Sequence, residues 1–193
     1  MIDFKYFEID SYDSFVSDVR EAFNIHKDEI LSVKKTEYGA RNVVLSLYPQ
    51  LNKLTEKYSF LGPVAALLES QPNTSTPIHT DGLRRPVVIN VSVSEPNPDN
   101  MTKFYDPEDL IEKTLPNGGP GVLHFTKKHD NVQPIAQYSL LDNPIIVHTM
   151  TPHEINNVKN YIRRTLSFGL AIEEYSQLGI EKIVEKIQNK SKQ

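Results

Sequence analysis

Apolar residues change their period twice along the chain. Phe15, Val19, Ala22 and Phe23 recur at intervals of three and four, which predicts an amphipathic helix opened by a cap at Asp10 or Ser11. Of the 13 prolines only Pro49 lies outside residues 63–152, so long helices are excluded from the middle of the chain. Short runs there read as strands: Val64 to Leu68, Pro86 to Ser94, Lys103 to Tyr105, Val122 to Phe125, Gln133 to Leu140 and Pro144 to Met150, followed by Arg163 to Ile172. Tyr175, Leu178, Ile180, Ile183, Val184 and Ile187 then predict a closing helix near Gly179 and a polar tail. Many strands between terminal helices give a mainly β, α+β chain on a jelly-roll or cupin-like double sheet. The expected organisation is one domain over 1–193, with 1–60 as helical or mixed support, 61–173 as the β core and 174–193 as helix and tail.

Two strands separate into contrasting faces, because successive side chains point to opposite sides of a sheet. After Pro86, Val87, Ile89, Val91 and Val93 share one face, and Val88, Asn90, Ser92 and Ser94 the other. After Tyr161 and Ile162, one face holds Arg163, Thr165, Ser167, Gly169 and Ala171, and the other Arg164, Leu166, Phe168, Leu170 and Ile172. The polar faces are small and nearly uncharged. A solvated face usually carries Lys and Glu, so a ligand-lined interior competes with an outer surface as their explanation.

Composition narrows the classes. With 21 Lys and Arg against 25 Asp and Glu, the net charge is −4, which speaks against a nucleic-acid binder. No apolar run approaches the roughly 18 residues of a membrane span, and acidic Asp3, Glu8 and Asp10 stand where a signal peptide needs a basic start. A soluble, cytoplasmic or intracellular protein is expected, with no membrane partner. Zero cysteines exclude disulfides, thiolate metal sites and a Cys nucleophile.

The sharpest local chemistry is Pro77-Ile78-His79-Thr80-Asp81-Gly82. His79 and Asp81 project the same way if extended, offering imidazole nitrogen and carboxylate oxygen to one point, a mixture that Fe(II), Mn(II), Co(II) and Zn(II) accept. A turn in which Asp81 bonds backbone is the plain alternative. Among the other histidines, His26 is expected to complement a helix end, and His124 and His129, flanking Lys127 and Lys128, to serve a hairpin surface. His148 and His153 both follow the run Pro144 to Val147. His153 stands out by Pro152 before it, Glu154-Ile155 after it, and Arg163 ten residues on.

These residues resemble the Fe(II)- and 2-oxoglutarate-dependent dioxygenases of the double-stranded β-helix fold. Their signature is His-x-Asp/Glu, a distant His, and an Arg or Lys about ten residues later, matched here by His79-Thr80-Asp81, His153 and Arg163. Pro152-His153-Glu154-Ile155 and Arg163-Arg164-Thr165-Leu166-Ser167 are closest in flavour to the prolyl-hydroxylase-like and aspartyl/asparaginyl-hydroxylase-like branches. The resemblance covers about Val64 to Ile172. It implies that His79, Asp81 and His153 are metal ligands and catalytic, that Fe(II) and O2 are used, and that 2-oxoglutarate is converted to succinate and CO2 as a substrate is hydroxylated. It implies further that a basic residue holds the far carboxylate of 2-oxoglutarate. Arg163 suits that task by its planar fork and by strand parity, since Arg164 heads the apolar face. Asn90, Thr165, Ser167 and Tyr105 are the expected further cofactor-binding residues.

Arg84 and Arg85 read as solvent-exposed or as contacts for an acidic substrate, and Asn97 to Asn100 and 117–121 as mobile loops around the barrel mouth. Two alternatives stay open: a non-enzymatic jelly-roll binding protein, and a cupin-type metal enzyme that does not use 2-oxoglutarate. The primary substrate, a peptide side chain or a metabolite, is not specified.

Overall fold

A computed structural model describes residues 4–6, 14–36, 39–81, 86–95, 97–113, 122–139, 144–158, 160–171 and 180–190. The expected caps Asp10 and Ser11, the pair Arg84 and Arg85, loop 117–121 and segment 172–179 lie outside the described residues.

The first helix, α1 (Phe15–Ser32), buries Phe15, Val19, Ala22, Phe23, His26 and Ile30, the stripe its spacing predicts. His26 therefore sits in mid-helix against Tyr48, ring centroids 5.5 Å apart, and not at the helix end expected of it. The helix stops at Val33, which is extended. Arg41 Nε donates to the carbonyls of Leu31 and Val33 (3.2 and 3.0 Å), placing a cation on acceptors that the last turn leaves unpaired. The second helix, α2 (Pro49–Lys57), opens on proline, whose missing N–H is harmless at that position, and buries Leu51 and Leu54.

The strands are β1 (Phe4–Tyr6), β2 (Arg41–Val44), β3 (Leu61–Ser70), β4 (Thr74–Ser75), β5 (Ile78–His79), β6 (Val87–Ser92) and β7 (Met101–Phe104). They continue as β8 (Leu110–Lys113), β9 (His124–Lys127), β10 (Ala136–Ser139), β11 (Ile145–His148), β12 (His153–Asn157) and β13 (Arg163–Leu170), before α3 (Ile180–Lys190). Two antiparallel sheets result. The first has the order β1-β11-β6-β13-β3-β2, and the second β10-β7-β12-β5-β9-β8, with β4 also paired to β12. Core strands β3, β5, β6, β7, β10, β11, β12 and β13 pass between the sheets in the order first, second, first, second, second, first, second, first. That winding is a double-stranded β-helix flanked by helices, mainly β within an α+β chain. Strands β1 and β2 widen the first sheet, and the β8–β9 pair widens the second. Among the described residues no helix is long and apolar enough to cross a membrane.

Face parity decides what each side of the first sheet buries. Val87, Ile89 and Val91 of β6, with Leu166 and Phe168 of β13, join the helices and Phe60 in the main core. Phe15 meets Tyr58 and Phe60 edge-on at 4.8 and 5.8 Å, so one aromatic cluster fastens α1 to the sheet. The opposite face of that sheet looks between the two layers. There Ser167 pairs with Asn90 and Thr165 with Ser92 in register, while Val88, Ile145 and Val147 pack with Phe104 and Tyr138 of the second sheet. Gly62 is required by contact: a Cβ there would stand 3.0 Å from the Gly169 carbonyl oxygen, at the irregularity between Phe168 and Leu170.

In the Asn97–Asn100 turn Pro98 and Asp99 are exposed. Asn97 and Asn100 are buried, and their side-chain oxygens accept from the backbone N–H groups of Asp99 (3.0 Å) and Val158 (3.1 Å).

Candidate metal centre

His79 closes β5, His153 opens β12, and the two are direct cross-strand partners. Side chains of such partners share a face, so the rings meet with centroids 4.6 Å apart. Asp81 is brought round by two backbone bonds: Thr80 N–H donates to the Leu123 carbonyl, and Asp81 N–H to the Thr149 carbonyl, both at 3.0 Å. One ligand atom from each of His79, Asp81 and His153 then lies within 4.8 Å of the others. Asp81 Oδ1 is 3.4 Å from His79 Nε2 and 3.9 Å from His153 Nε2.

The second nitrogen of each ring tests whether this cluster fits a metal. His79 Nδ1 lies 2.8 Å from the Pro77 carbonyl and His153 Nδ1 lies 2.9 Å from the Thr151 carbonyl, each acceptor two residues upstream. A carbonyl only accepts, so in each neutral ring Nδ1 carries the proton and Nε2 is the nitrogen left free for ligation beside Asp81. That arrangement prepares imidazoles for ligation, and two nitrogens with one carboxylate suit a divalent first-row metal. Burial lowers the His79 pKa, but the hydrogen bond and charge of Asp81, with Pro77, outweigh it and the net shift is upward. His153 goes down, through burial first and then the charge of His79, with Asp81 only partly opposing.

Arg163 opens β13 on the face turned between the sheets and is 4% exposed. Its Nη1 donates to the Asn156 carbonyl and its Nη2 to Thr102 Oγ1, both at a long 3.4 Å. Among the described residues no carboxylate pairs with it. Burial pushes its pKa down, opposed by Tyr138 and Tyr161. Arg164, one residue on, points to the other face and pairs with Glu69 (Nε to Oε1, 3.0 Å).

Asn90 and Ser167 stand side by side across β6 and β13, with Asn90 Oδ1 buried and without a hydrogen-bond partner. Thr165 is buried next along. Tyr105 is placed elsewhere. Strand β7 ends at Phe104, whose ring packs 5.7 Å from His153, so Tyr105 turns to the opposite side. Its ring joins Ile78, Leu110 and Val132, and its hydroxyl donates to Glu154 Oε1 at 2.7 Å.

Three residues near the site were not singled out by sequence. Thr102 meets Arg163. Tyr138 is 2% exposed: its hydroxyl is pushed up by burial, while hydrogen bonds from Thr102 and Asn90 and the charge of Arg163 act against this and the charge of Asp81 acts with it. The period-two pairing of Ala136 with Tyr138 was the available signal. His124, expected on a hairpin surface, is half-buried and stacked on His79 at 6.2 Å, and its pKa falls through burial and the charge of His79. The neighbouring lysines misdirected the expectation, because residues 124–127 of β9 are half-buried and Lys128, His129 and Asp130 are exposed.

No family model matches the chain, and no curated protein matches it in sequence. Solved structures resemble it in fold. A Pseudomonas putida prolyl-4-hydroxylase is 12% identical over 89% of this chain and 93% of its own, with a TM-score of 0.46. A prolyl hydroxylase solved with a hypoxia inducible factor peptide fragment, from Trichoplax adhaerens, is 11% identical over 90% and 86%, TM-score 0.47. AviO1 from Streptomyces viridochromogenes is 13% identical over 89% and 90%, TM-score 0.47. The likeness is one of fold at these values, and residue roles rest on the geometry above.

Proposed function

We propose that the chain is an Fe(II)- and 2-oxoglutarate-dependent oxygenase that hydroxylates a peptide side chain or small molecule, with release of succinate and CO2. One observation carries this: on β7 the Phe104 ring packs against His153 while Thr102, two residues back on the same face, meets Arg163, so a three-residue metal site and a buried cation with no counter-ion among the described residues face one space between the sheets. A five-carbon dicarboxylate is the complement of that space, with one end at the metal and the other on Arg163. His79, Asp81 and His153 would hold the iron, leaving positions open. When bound, the iron supplies the redox chemistry by which O2 oxidises 2-oxoglutarate and one oxygen atom reaches the substrate.

The chain's own residues bind and orient. Arg163 offers a charged fork to the far carboxylate in a site that excludes water, where charge-assisted bonds are strongest. Tyr138, Thr102 and Asn90 supply hydroxyls and an amide to the same end, and Ser167 and Thr165 complete that face. Phe104, Val88 and Val147 keep the space dry and fix the His153 ring. The buried cation sets this proposal apart from a metal enzyme that needs no dicarboxylate.

The test is anaerobic calorimetry of 2-oxoglutarate into Mn(II)-loaded protein, followed by succinate release with Fe(II) and air. Binding together with slow succinate release in the absence of any other substrate is expected. Stoichiometric metal binding with no heat from 2-oxoglutarate would overturn the proposal.

A further inference from the structure

Three imidazoles stand in one row on the inner face of the second sheet. His153, His79 and His124 are successive cross-strand partners on β12, β5 and β9, so their side chains project the same way. The His79 and His124 rings are stacked 6.2 Å apart at an interplanar angle of 30°. His124 is outside the group of three ligand residues. What distinguishes it is its Nδ1, buried and without a hydrogen-bond partner among the described residues, whereas the other two rings have theirs tied to backbone carbonyls. A buried imidazole nitrogen left unsatisfied costs free energy, and such groups in native structures call for an explanation.

The local backbone holds this ring against the ligand loop. Thr80, the residue between His79 and Asp81, donates its N–H to the Leu123 carbonyl (3.0 Å) and accepts from the Leu123 N–H on its hydroxyl (3.3 Å). Residue 124 therefore cannot move independently of the two ligands that Thr80 separates. Strand β9 lies outside the eight strands that close the barrel, so its contact with β5 is not needed for closure. Asp81, beside it, is the exposed member of the ligand group.

We propose that His124 is a positioning residue of the metal centre: it hydrogen-bonds the polar group that occupies the metal's open side. This rests on the metal centre proposed above but not on its use of 2-oxoglutarate.

The experiment uses the full chain loaded with Co(II), and the probe is azide, followed by visible absorption. His124→Phe keeps a ring and removes both nitrogens, His124→Ala removes the ring, and His124→Gln restores a hydrogen-bonding group. The expected result is azide affinity weakened three- to tenfold in the Phe and Ala variants and within twofold of wild type in the Gln variant. Co(II) affinity stays within twofold throughout. Equal azide affinity in wild type and the Phe or Ala variant overturns the proposal, and so does Co(II) affinity that falls in parallel, since His124 would then be a ligand or a prop for His79. Absence of any Co(II) spectrum in wild type overturns the metal centre and this proposal with it. Normal azide behaviour without 2-oxoglutarate binding supports His124 while removing the oxygenase assignment.

Discussion

Arg163 and Arg164 are neighbours in sequence and face opposite environments. Arg163 looks between the sheets, 4% exposed, with two long hydrogen bonds and no carboxylate among the described residues. Arg164 looks toward the helix side, where Glu69, itself 4% exposed, accepts from Arg164, Arg41 and Lys35. One face of β13 satisfies its cation internally, and the other leaves a charge that no described residue neutralises. Burying an unpaired guanidinium is costly, so a fold keeps one where a ligand completes it. The difference between two adjacent residues thus sets the face proposed for binding apart from the face whose charges pair within the fold. It depends entirely on strand register, since a slip of one residue exchanges the faces.

The largest effect should come from breaking the inner side. Arg163→Ala removes the positive half of a buried charge-assisted pair, so 2-oxoglutarate affinity should fall by about 2–5 kcal/mol, roughly thirtyfold or more. Mn(II) affinity, set at the other end of the space, should be unchanged. Calorimetry of both ligands on the same preparation checks this, and a loss of metal binding in parallel would mean that Arg163 serves the fold.

On the outer side the corresponding change is Glu69→Gln, which leaves Lys35, Arg41 and Arg164 facing one another and should cost about 2–4 kcal/mol of stability. Burial raises the Glu69 pKa, but the hydrogen bonds and charge of Arg41, with Lys35 and Arg164, outweigh it, so the folded value lies below the ordinary 4.5. A depressed carboxyl stabilises above its unfolded value and loses that contribution as pH falls through the folded one. Wild type should therefore exceed Glu69→Gln in Tm by a constant margin above about pH 5, and the margin should close on further acidification. A margin that widened in acid would contradict the assignment.

Arg164→Ala is the milder outer change, because Glu69 keeps two cations. A loss of about 1 kcal/mol is expected in urea unfolding, with 2-oxoglutarate affinity within twofold of wild type. Should this variant lose the cosubstrate while Arg163→Ala keeps it, Thr165 and Ser167 leave the pocket as well.

Period-two alternation made this contrast legible before any fold was known: Leu166 and Phe168 against Thr165 and Ser167 named the two faces of β13. The His-x-Asp spacing likewise pointed to the metal cluster. Tyr105 and His124 went astray for a physical reason, namely that an end of one residue in a strand reverses a side chain. Strand β7 ends at Phe104, which sends Tyr105 to Glu154, and β9 begins at His124, which places that ring against His79. Cross-strand pairing, not local pattern, decides such positions. Strand β1 belongs to the same class, since three residues on the edge of β11 carry no periodic signal of their own.

The last change sharpens the inner side without emptying it. Tyr138 is buried, and its hydroxyl is hydrogen-bonded by Asn90 and by Thr102, which also meets Arg163 at the proposed carboxylate site. Tyr138→Phe keeps the ring that packs 5.7 Å from Phe104, so the core between the sheets should survive, and removes one hydrogen-bonding group. A single neutral hydrogen bond contributes about 0.5–1.5 kcal/mol, which corresponds to 2-oxoglutarate affinity weakened roughly two- to tenfold. The effect must be smaller than that of Arg163→Ala, because a hydroxyl supplies no net charge, and it must be larger than that of Arg164→Ala, because Arg164 does not reach this space. An affinity unchanged from wild type would place the dicarboxylate away from Tyr138. The shared influence of Asp81 and Arg163 on that residue would then describe two separate sites and not one.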